Sequence, residues 1–391
     1  MEQAEICFPM SETESPRSTI KQRLAGAVGF VPTQDWLVIG WVLATKALIF
    51  VLGIKSYQIL EDKRLSGIHP WLEIWNRWDS VHYLHLAQFG YTASGWKAWF
   101  YPLFPWCVRF VAYLSGDYLV SALIVSGAAL LAAAVLLRRL VQIDYSPAAA
   151  LRAVWFLLIF PTAYFLHIGY TESLFLALAI GSFLAARRQR WWLAGVLAAL
   201  SCMTRANGVV LLPTLGVEAA HQFWATKRWN WRWLWIAIVP AGFGVYLLLN
   251  WHVTGDPFTA FRMRKTISVT SMAWPWVGIR GAIDSLHRAP SEAEMVGAQE
   301  LYFAVLGLIC VIASWIKLRP IYATWITGNW LLFTGVTFME SVPRYTLTMF
   351  PIFMLFAIVG RNRFWNAVIS VWSLLFLALF TSVFVRGWWA F

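Results

Sequence analysis

The sequence predicts an all-α polytopic bundle of transmembrane helices, and three observations predict it. Of the 391 residues, 60% are hydrophobic and 13% charged, with a mean hydropathy of +0.61, well to the apolar side of a soluble domain. Apolar runs of roughly 20 residues, enough to cross a bilayer as a helix, recur to the end of the chain. The basic residues behind the formal charge of +12 fall in short clusters between those runs. Lipid offers no partner for a backbone N–H or C=O, so each run must satisfy its own backbone as a helix. A concentrated basic face would suggest nucleic acid; scattered basic clusters suggest membrane topology, and no nucleic-acid partner is expected.

Residues 1–35 read as a polar N-terminal segment placed in the cytoplasm by Lys21 and Arg23. No cleavable signal is expected ahead of the first run, Trp36 to Ile54, which reads as an uncleaved anchor. Residues 36–391 then form a single multispanning domain. After the first span, Pro and Gly break up a mixed stretch that reads as a large first extracytoplasmic loop partly dipped into the interface. A second span, Asp117 to Leu137, returns to Arg138 and Arg139. Two short pairs follow, one turning outside at Glu172 and one interrupted at Thr204-Arg205-Ala206-Asn207-Gly208, and their lengths call for tilting or half-insertion. Glu218, at the cytoplasmic end of its helix, reads as solvated. Trp233 to Trp251 leads to a second outer loop, and Leu301 to Ile316, Ile321 to Met339, Tyr345 to Gly360 and Phe364 to Val385 complete the path. The total is about eleven spans, with the N-terminus inside and the C-terminus outside.

This path, drawn without reference to any motif, collects Asp79, His82, Glu172, Arg205, His252, Asp256, Glu340 and Arg344 on one side. Ionisable groups at membrane depth are costly unless paired or hydrated, so a one-sided collection predicts an aqueous cavity opening outward. The densest stretch is Trp75-Asn76-Arg77-Trp78-Asp79-Ser80-Val81-His82-Tyr83. On a helix Asp79, His82 and Tyr83 stand at i, i+3 and i+4 and share a face, which suits acid–base chemistry. Each candidate also has a plainer reading. Asp79 and Glu172 can cap helices, and Arg205 and Arg344 can snorkel or pair with Glu172 and Glu340. His252 and Asp256, flanking Gly255 beside Pro257, can be turn chemistry.

Absences narrow the reaction. There is no phosphate-binding Gly-rich loop ending in Lys-Ser/Thr and no Gly-x-Ser-x-Gly elbow. No two of the seven Asp lie two residues apart, so the Asp-x-Asp that holds a nucleotide-sugar's metal is missing. The cysteines Cys7, Cys107, Cys202 and Cys310 are dispersed and suggest neither a disulfide framework nor a metal site. No cofactor or metal is expected, and a lipid-linked phosphate donor fits better than a soluble nucleotide, with Arg holding the phosphate.

The chain resembles the PIG-V type mannosyltransferases, GPI mannosyltransferase 2 and its bacterial relatives, within the GT-C glycosyltransferase superfamily. The resemblance is carried by the order of Arg77-Trp78-Asp79-Ser80-Val81-His82-Tyr83, Phe89-Gly90-Tyr91, Tyr101-Pro102-Leu103-Phe104-Pro105, Gly169-Tyr170-Thr171-Glu172-Ser173-Leu174-Phe175, Thr204-Arg205-Ala206-Asn207-Gly208, Gly255-Asp256-Pro257 and Pro343-Arg344-Tyr345. It implies a GT-C-like bundle that transfers mannose from a polyprenyl or dolichyl phosphate to a lipid-linked acceptor on the extracytoplasmic or lumenal face. The membrane would be a bacterial cytoplasmic membrane, or the endoplasmic reticulum in a eukaryote. Asp79 sits where such enzymes carry their essential first-loop carboxylate. The sequence departs from the family pattern after Gly255-Asp256-Pro257, where Arg262, Arg264 and Lys265 stand in place of neutral residues.

Taken together, Asp79 is the expected general base, with His82 orienting it or meeting the donor phosphate. Arg205, Arg344, Glu172, Tyr83 and Asn207 are candidates for the donor phosphate and sugar, and Trp78, His252 and Asp256 for acceptor or loop contacts. A lipid or glycolipid transporter is the alternative from another class, although no internal repeat supports it.

Overall fold

A computed structural model of the chain describes residues 32–92, 96–267, 270–286 and 298–389. Most of the polar N-terminal segment, through residue 31, lies outside the described residues. In chain order the helices are α1 Thr33–Leu60, α2 Ile68–Glu73, α3 Asp79–Phe89, α4 Leu103–Ser115, α5 Tyr118–Asp144 and α6 Pro147–Ile159. They continue as α7 Glu172–Arg187, α8 Trp191–Cys202, α9 Leu211–Thr226, α10 Val239–Thr254, α11 Thr259–Ile267 and α12 Pro275–Ser285. The last are α13 Ala298–Lys317, α14 Pro320–Thr334, α15 Val342–Leu347, α16 Pro351–Val359 and α17 Arg363–Val385. Short 3-10 turns at Trp96–Trp99, Ala163–Leu166, Ala206–Val210 and Trp231–Ile238 join them. Among the described residues the one bridge of extended chain, Met272 with Val336, is isolated, so the molecule is all-helical as expected.

Five stretches among the described residues are long and apolar enough to cross a membrane: α1, α5, Trp231–Thr254, α13 and α17. The eleven crossings read from the sequence are not reproduced by length, because several runs end early for local reasons. Tyr345 to Gly360 divides into α15 and α16, since Pro351 lacks an N–H and opens the second piece. The run from Ile321 stops at Thr334, where the chain turns extended and Ala273 N–H donates to the Gly335 carbonyl at 3.0 Å. The mixed stretch after α1 is also more ordered than a loop, folding into α2, α3 and α4. Start signals match the chemistry: Asp117 accepts the Val120 N–H at 3.0 Å to open α5, and Ser146 precedes Pro147 to open α6.

The core is built on α5, α6 and α7, whose side chains are largely buried together with the connection from Phe160 to Thr171. Non-helical backbone at this depth is tolerated because protein, not lipid, surrounds it. At the end carrying the Arg138, Arg187 and Arg319 clusters, ion pairs tie the helices together. Arg138 and Arg139 hold Asp35 of α1, with Nη2 of each 2.5 and 2.6 Å from its carboxylate. Arg187 of α7 is bidentate to Asp144, both contacts at 2.6 Å. Glu218 is not solvated: it is fully buried and receives Arg319 through two hydrogen bonds of 2.9 and 2.8 Å. The reason is that α9 packs against α14, which carries Arg319 at its start and faces Glu218 with a guanidinium fork.

Close packing also fixes the segment leading to Asp79. Trp75 is fully buried, stacks on Phe50 with ring centroids 4.8 Å apart, and presses on Gly53 of α1. A Cβ at Gly53 would stand 2.3 Å from the Trp75 ring. Gly53→Val should therefore destabilise the fold by about 1–3 kcal/mol, read as a lower thermal midpoint of the detergent-purified protein. An unshifted midpoint would show that Trp75 is not anchored on α1.

Candidate functional site

The site forms where α3, the Phe160–Thr171 connection, the Thr204–Val210 turn and α15 meet. Asp79 opens α3, directly after Trp78, whose φ of 52° is rare for a residue with a side chain. The strain is held by packing, as the Trp78 ring lies edge-on to Trp389 at 5.1 Å. Arg344 comes from α15. That short helix starts from Ser341 at φ 62°, and the Glu300 carboxylate of α13 accepts the Ser341 and Val342 N–H groups at 2.9 and 2.7 Å. Thr162 adds a hydrogen bond to the Pro343 carbonyl at 3.0 Å, tying α15 to the buried connection.

Held in this way, the Arg344 guanidinium lies over the faces of Tyr170 and Phe165, 4.6 and 5.1 Å from their centroids. Its Nη1 donates to Asp79 Oδ2 at 2.6 Å and its Nε to Glu172 Oε1 at 2.5 Å. Arg205 donates to the same Glu172 oxygen and to Thr171 Oγ1, the latter at 2.8 Å, and stands 5.3 Å over the Tyr345 ring. The result is a chain of alternating charge, Asp79, Arg344, Glu172, Arg205, formally neutral. Its middle is dry: Glu172 is 0% and Arg344 3% exposed. Its ends are reachable, with 35% of the Asp79 side chain and 10% of the Arg205 side chain accessible.

The α3 face is also assembled as expected. Tyr83 is buried edge-on to Phe100, Phe104 and Tyr170. Burial first, and the Asp79 charge second, push its phenol above the ordinary value, so it stays protonated. His82 lies against Phe100 at 5.5 Å. Burial lowers its imidazole pKa, Asp79 opposes that, and Lys97 and His85 add to the lowering. His82 is therefore neutral at neutral pH.

Three candidates make their contacts elsewhere. Asn207 is buried and donates to Asn329 Oδ1 at 2.7 Å, in a polar cluster between the Ala206–Val210 turn and α14. His252 is exposed near the end of α10, which closes on Gly255 at φ 75°. Asp256 caps the Phe258 N–H at 3.0 Å and pairs with Arg262 at 2.5 Å, so turn chemistry accounts for it and for one of the unexpected cations. Conversely, the site also takes in Glu300, Tyr170 and Thr171, which the sequence does not single out. Glu300 had a signal, since an acidic residue at the edge of an apolar run needs a partner.

Residues 66–249 match the family model described as Mannosyltransferase (PIG-V). Over that segment the chain is similar to the PIG-V mannosyltransferases. The segment contains Asp79, His82, Tyr83, Glu172 and Arg205, while Arg344 lies beyond it. Among relatives, mouse GPI alpha-1,6-mannosyltransferase 2 is 35% identical over 216 residues, covering 50% of this chain and 41% of the relative. The rat protein of the same name is 34% identical over 151 residues, 34% of this chain and 30% of the relative. The chain thus spans less than half the length of these curated relatives. Among solved structures, apo ArnT from Cupriavidus metallidurans superposes with a TM-score of 0.51 at 14% identity, covering 84% of this chain and 61% of that one. At that identity the likeness is one of fold.

The geometry makes Glu172 the shared counter-ion of one buried and one partly buried guanidinium. Glu172→Ala should cost about 3–5 kcal/mol, because it leaves buried charge uncompensated. Glu172→Ala combined with Arg344→Leu should recover part of that loss in thermal melts, whereas strictly additive losses would show that the two do not interact.

Proposed function

We propose that the chain is an inverting membrane glycosyltransferase that moves a hexose, by its family mannose, from a polyprenyl- or dolichyl-phosphate sugar to a lipid-linked acceptor. The reaction face is the extracytoplasmic or lumenal side of a bacterial cytoplasmic membrane or of the endoplasmic reticulum. The observation that carries this reading is the four-residue charge chain, with a carboxylate at one accessible end and a guanidinium at the other.

Asp79 is the base: it accepts the acceptor hydroxyl proton as the oxygen attacks the anomeric carbon. The bond from that carbon to the phosphate oxygen breaks on the opposite side, and its electron pair leaves with the lipid phosphate. Arg205, the more accessible of the two guanidiniums, meets the charge that develops there. Arg344 is a positioning residue, because its fork is already committed to Asp79 and Glu172. Glu172 orients both arginines; its burial leaves it no surface to offer a sugar hydroxyl. His82, neutral and one turn from Asp79, can orient the acceptor hydroxyl, and half-buried Trp78 forms part of the wall.

The eleven-crossing path with an interior N-terminus belongs to the same proposal. It counts the short helices of the α6–α7 and α8–α9 pairs as crossings, and the almost complete burial of residues 153–186 supports the first pair, since such segments are shielded from lipid by their neighbours.

The decisive assay uses purified protein, a defined acceptor, EDTA, and polyprenyl-phosphate mannose or GDP-mannose as sole donor. Transfer from the lipid donor alone is expected, since Arg205 rather than a metal receives the phosphate. Activity from GDP-mannose alone would refute the donor assignment. Asp79→Asn keeps the side chain's size but accepts no proton, and should lower turnover by roughly two to four orders of magnitude with the protein still accumulating. Unchanged turnover would remove Asp79 from the chemistry.

A further inference from the structure

A second polar site stands at the other end of the bundle. The charge chain lies beside the start of α5, where a Cβ on Gly169 would stand 3.2 Å from Ala122. Arg138 is 16 residues beyond Ala122 on the same helix, a rise of roughly 24 Å. There an open cavity of about 410 Å³ is lined by Pro32, Arg138, Arg139, Gln142, Ile143 and Arg188. Three elements supply the wall: Pro32 precedes α1, Arg138 to Ile143 belong to the last turns of α5, and Arg188 follows α7. Both α1 and α7 pack on α5.

The wall is already in place without a ligand. Arg138 is 3% exposed, its Nε donates to Asp35 at 2.6 Å, and its Nη1 donates to the Gln34 and Gln142 amide oxygens at 3.0 and 2.6 Å. Arg139 gives Nε and Nη2 to the other Asp35 oxygen, which leaves its Nη1 uncommitted among the described residues. Arg188 is exposed and forms no ion pair among the described residues. Three guanidiniums therefore line the cavity against one carboxylate, and Asp35 is itself buried. The other described carboxylates of this end are spent, Asp144 on Arg187 and Glu218 on Arg319. Its further cations, Arg190, Lys227, Arg228, Lys317, Arg361 and Arg363, add to the positive field. The chain ahead of Pro32 is nearly balanced, with Glu2, Glu5, Glu12 and Glu14 against Arg17, Lys21 and Arg23.

An oxyanion is the complementary ligand, and a phosphate ester can take several guanidinium donors at once. The surroundings favour a lipid over a soluble ester. Ile143 lines the cavity and is 40% exposed, and Trp36 and Leu37, about one turn into α1, are each 45% exposed. They give acyl chains an apolar path from the cavity along a helix long enough to cross a membrane. Basic pockets between the cytoplasmic ends of membrane helices suit anionic headgroups. We propose that the cavity binds the phosphate headgroup of one anionic phospholipid, with Arg139 and Arg188 as its ligands and Arg138 as a fixed positive wall. The lipid bridges α5 to the end of α7 where the protein's own ion pairs leave a gap. On the topology proposed above it comes from the cytoplasmic leaflet; the site itself rests on no transferase activity.

The test counts lipids bound to the detergent-purified full chain by native mass spectrometry. Phosphatidylglycerol is the probe, phosphatidylcholine the zwitterionic control and glycerol 3-phosphate the soluble ester. One phosphatidylglycerol should bind about tenfold more tightly than phosphatidylcholine, the scale of one charge-assisted contact. Arg188→Ala should remove that preference, and Arg188→Lys should recover part of it. Arg228→Ala takes the same charge from another loop of this end and should leave the first phosphatidylglycerol in place. Because Arg188 is exposed and outside any ion pair, the lipid-free thermal midpoint should stay where it is in Arg188→Ala, while the rise that phosphatidylglycerol gives the wild type shrinks. Equal affinity for the two lipids, or wild-type affinity in Arg188→Ala, would overturn the proposal. The same loss in Arg228→Ala would reduce the effect to general surface charge and overturn it as well. Glycerol 3-phosphate binding as tightly as the lipid would make this a site for a soluble ester and overturn the lipid assignment. Binding that appears only once Glu2, Glu5, Glu12 and Glu14 are all replaced by Gln would assign the cavity to the chain's own N-terminal segment instead.

Discussion

The arrangement depends on one guanidinium. Arg344 bridges Asp79 and Glu172 in a place nearly closed to water, and neither carboxylate would be held as it is without that fork. Burying charges is costly, and a single buried pair often does no better than apolar residues of the same volume. Alternation changes the balance, since each inner charge of Asp79, Arg344, Glu172 and Arg205 has an opposite neighbour on both sides, and the aromatic faces of Tyr170, Phe165 and Tyr345 cover the flat sides of the cations. A site of this kind holds a carboxylate and a guanidinium at fixed separation, because the enclosed middle connects the two ends.

That middle is rigid because the backbone around it is irregular yet fully enclosed. The connection Phe160–Thr171, the Ala206–Val210 turn and the short α15 are non-helical or briefly helical pieces inside the bundle, and each is tied to a neighbour. Glu300 caps α15 from another helix, Thr162 holds the Pro343 carbonyl, and Lys46 of α1 donates to the His167 carbonyl at 3.2 Å. A lipid-facing turn could not meet these requirements, so the site must lie inside the bundle. At the other end, the Asp35, Asp144 and Glu218 ion pairs fasten α1, α5, α7, α9 and α14. The bundle is thus held together by polar contacts at both ends, with its apolar mass between them.

What the sequence determined by itself follows from local rules. Apolar run length places α1, α5, the stretch Trp231–Thr254, α13 and α17, because crossing lipid demands a helix of minimum length. Helical periodicity places Asp79, His82 and Tyr83 on one face, and the basic clusters sort Asp79, Glu172, Arg205 and Arg344 onto one side without any contact information. Tertiary structure alone decided which of these groups meet. Arg344 reaches Asp79 from 265 positions away, and nothing local distinguishes that partner from Glu340, only a few residues before Arg344 in the sequence. Asn207 is a donor-site candidate by sequence, yet packing turns it toward Asn329, and Glu218 reads as solvated although α14 brings Arg319 over it. Burial and pairing depend on which helices pack together, and that choice is made by side-chain fit over the whole bundle, a quantity no window of neighbouring residues contains.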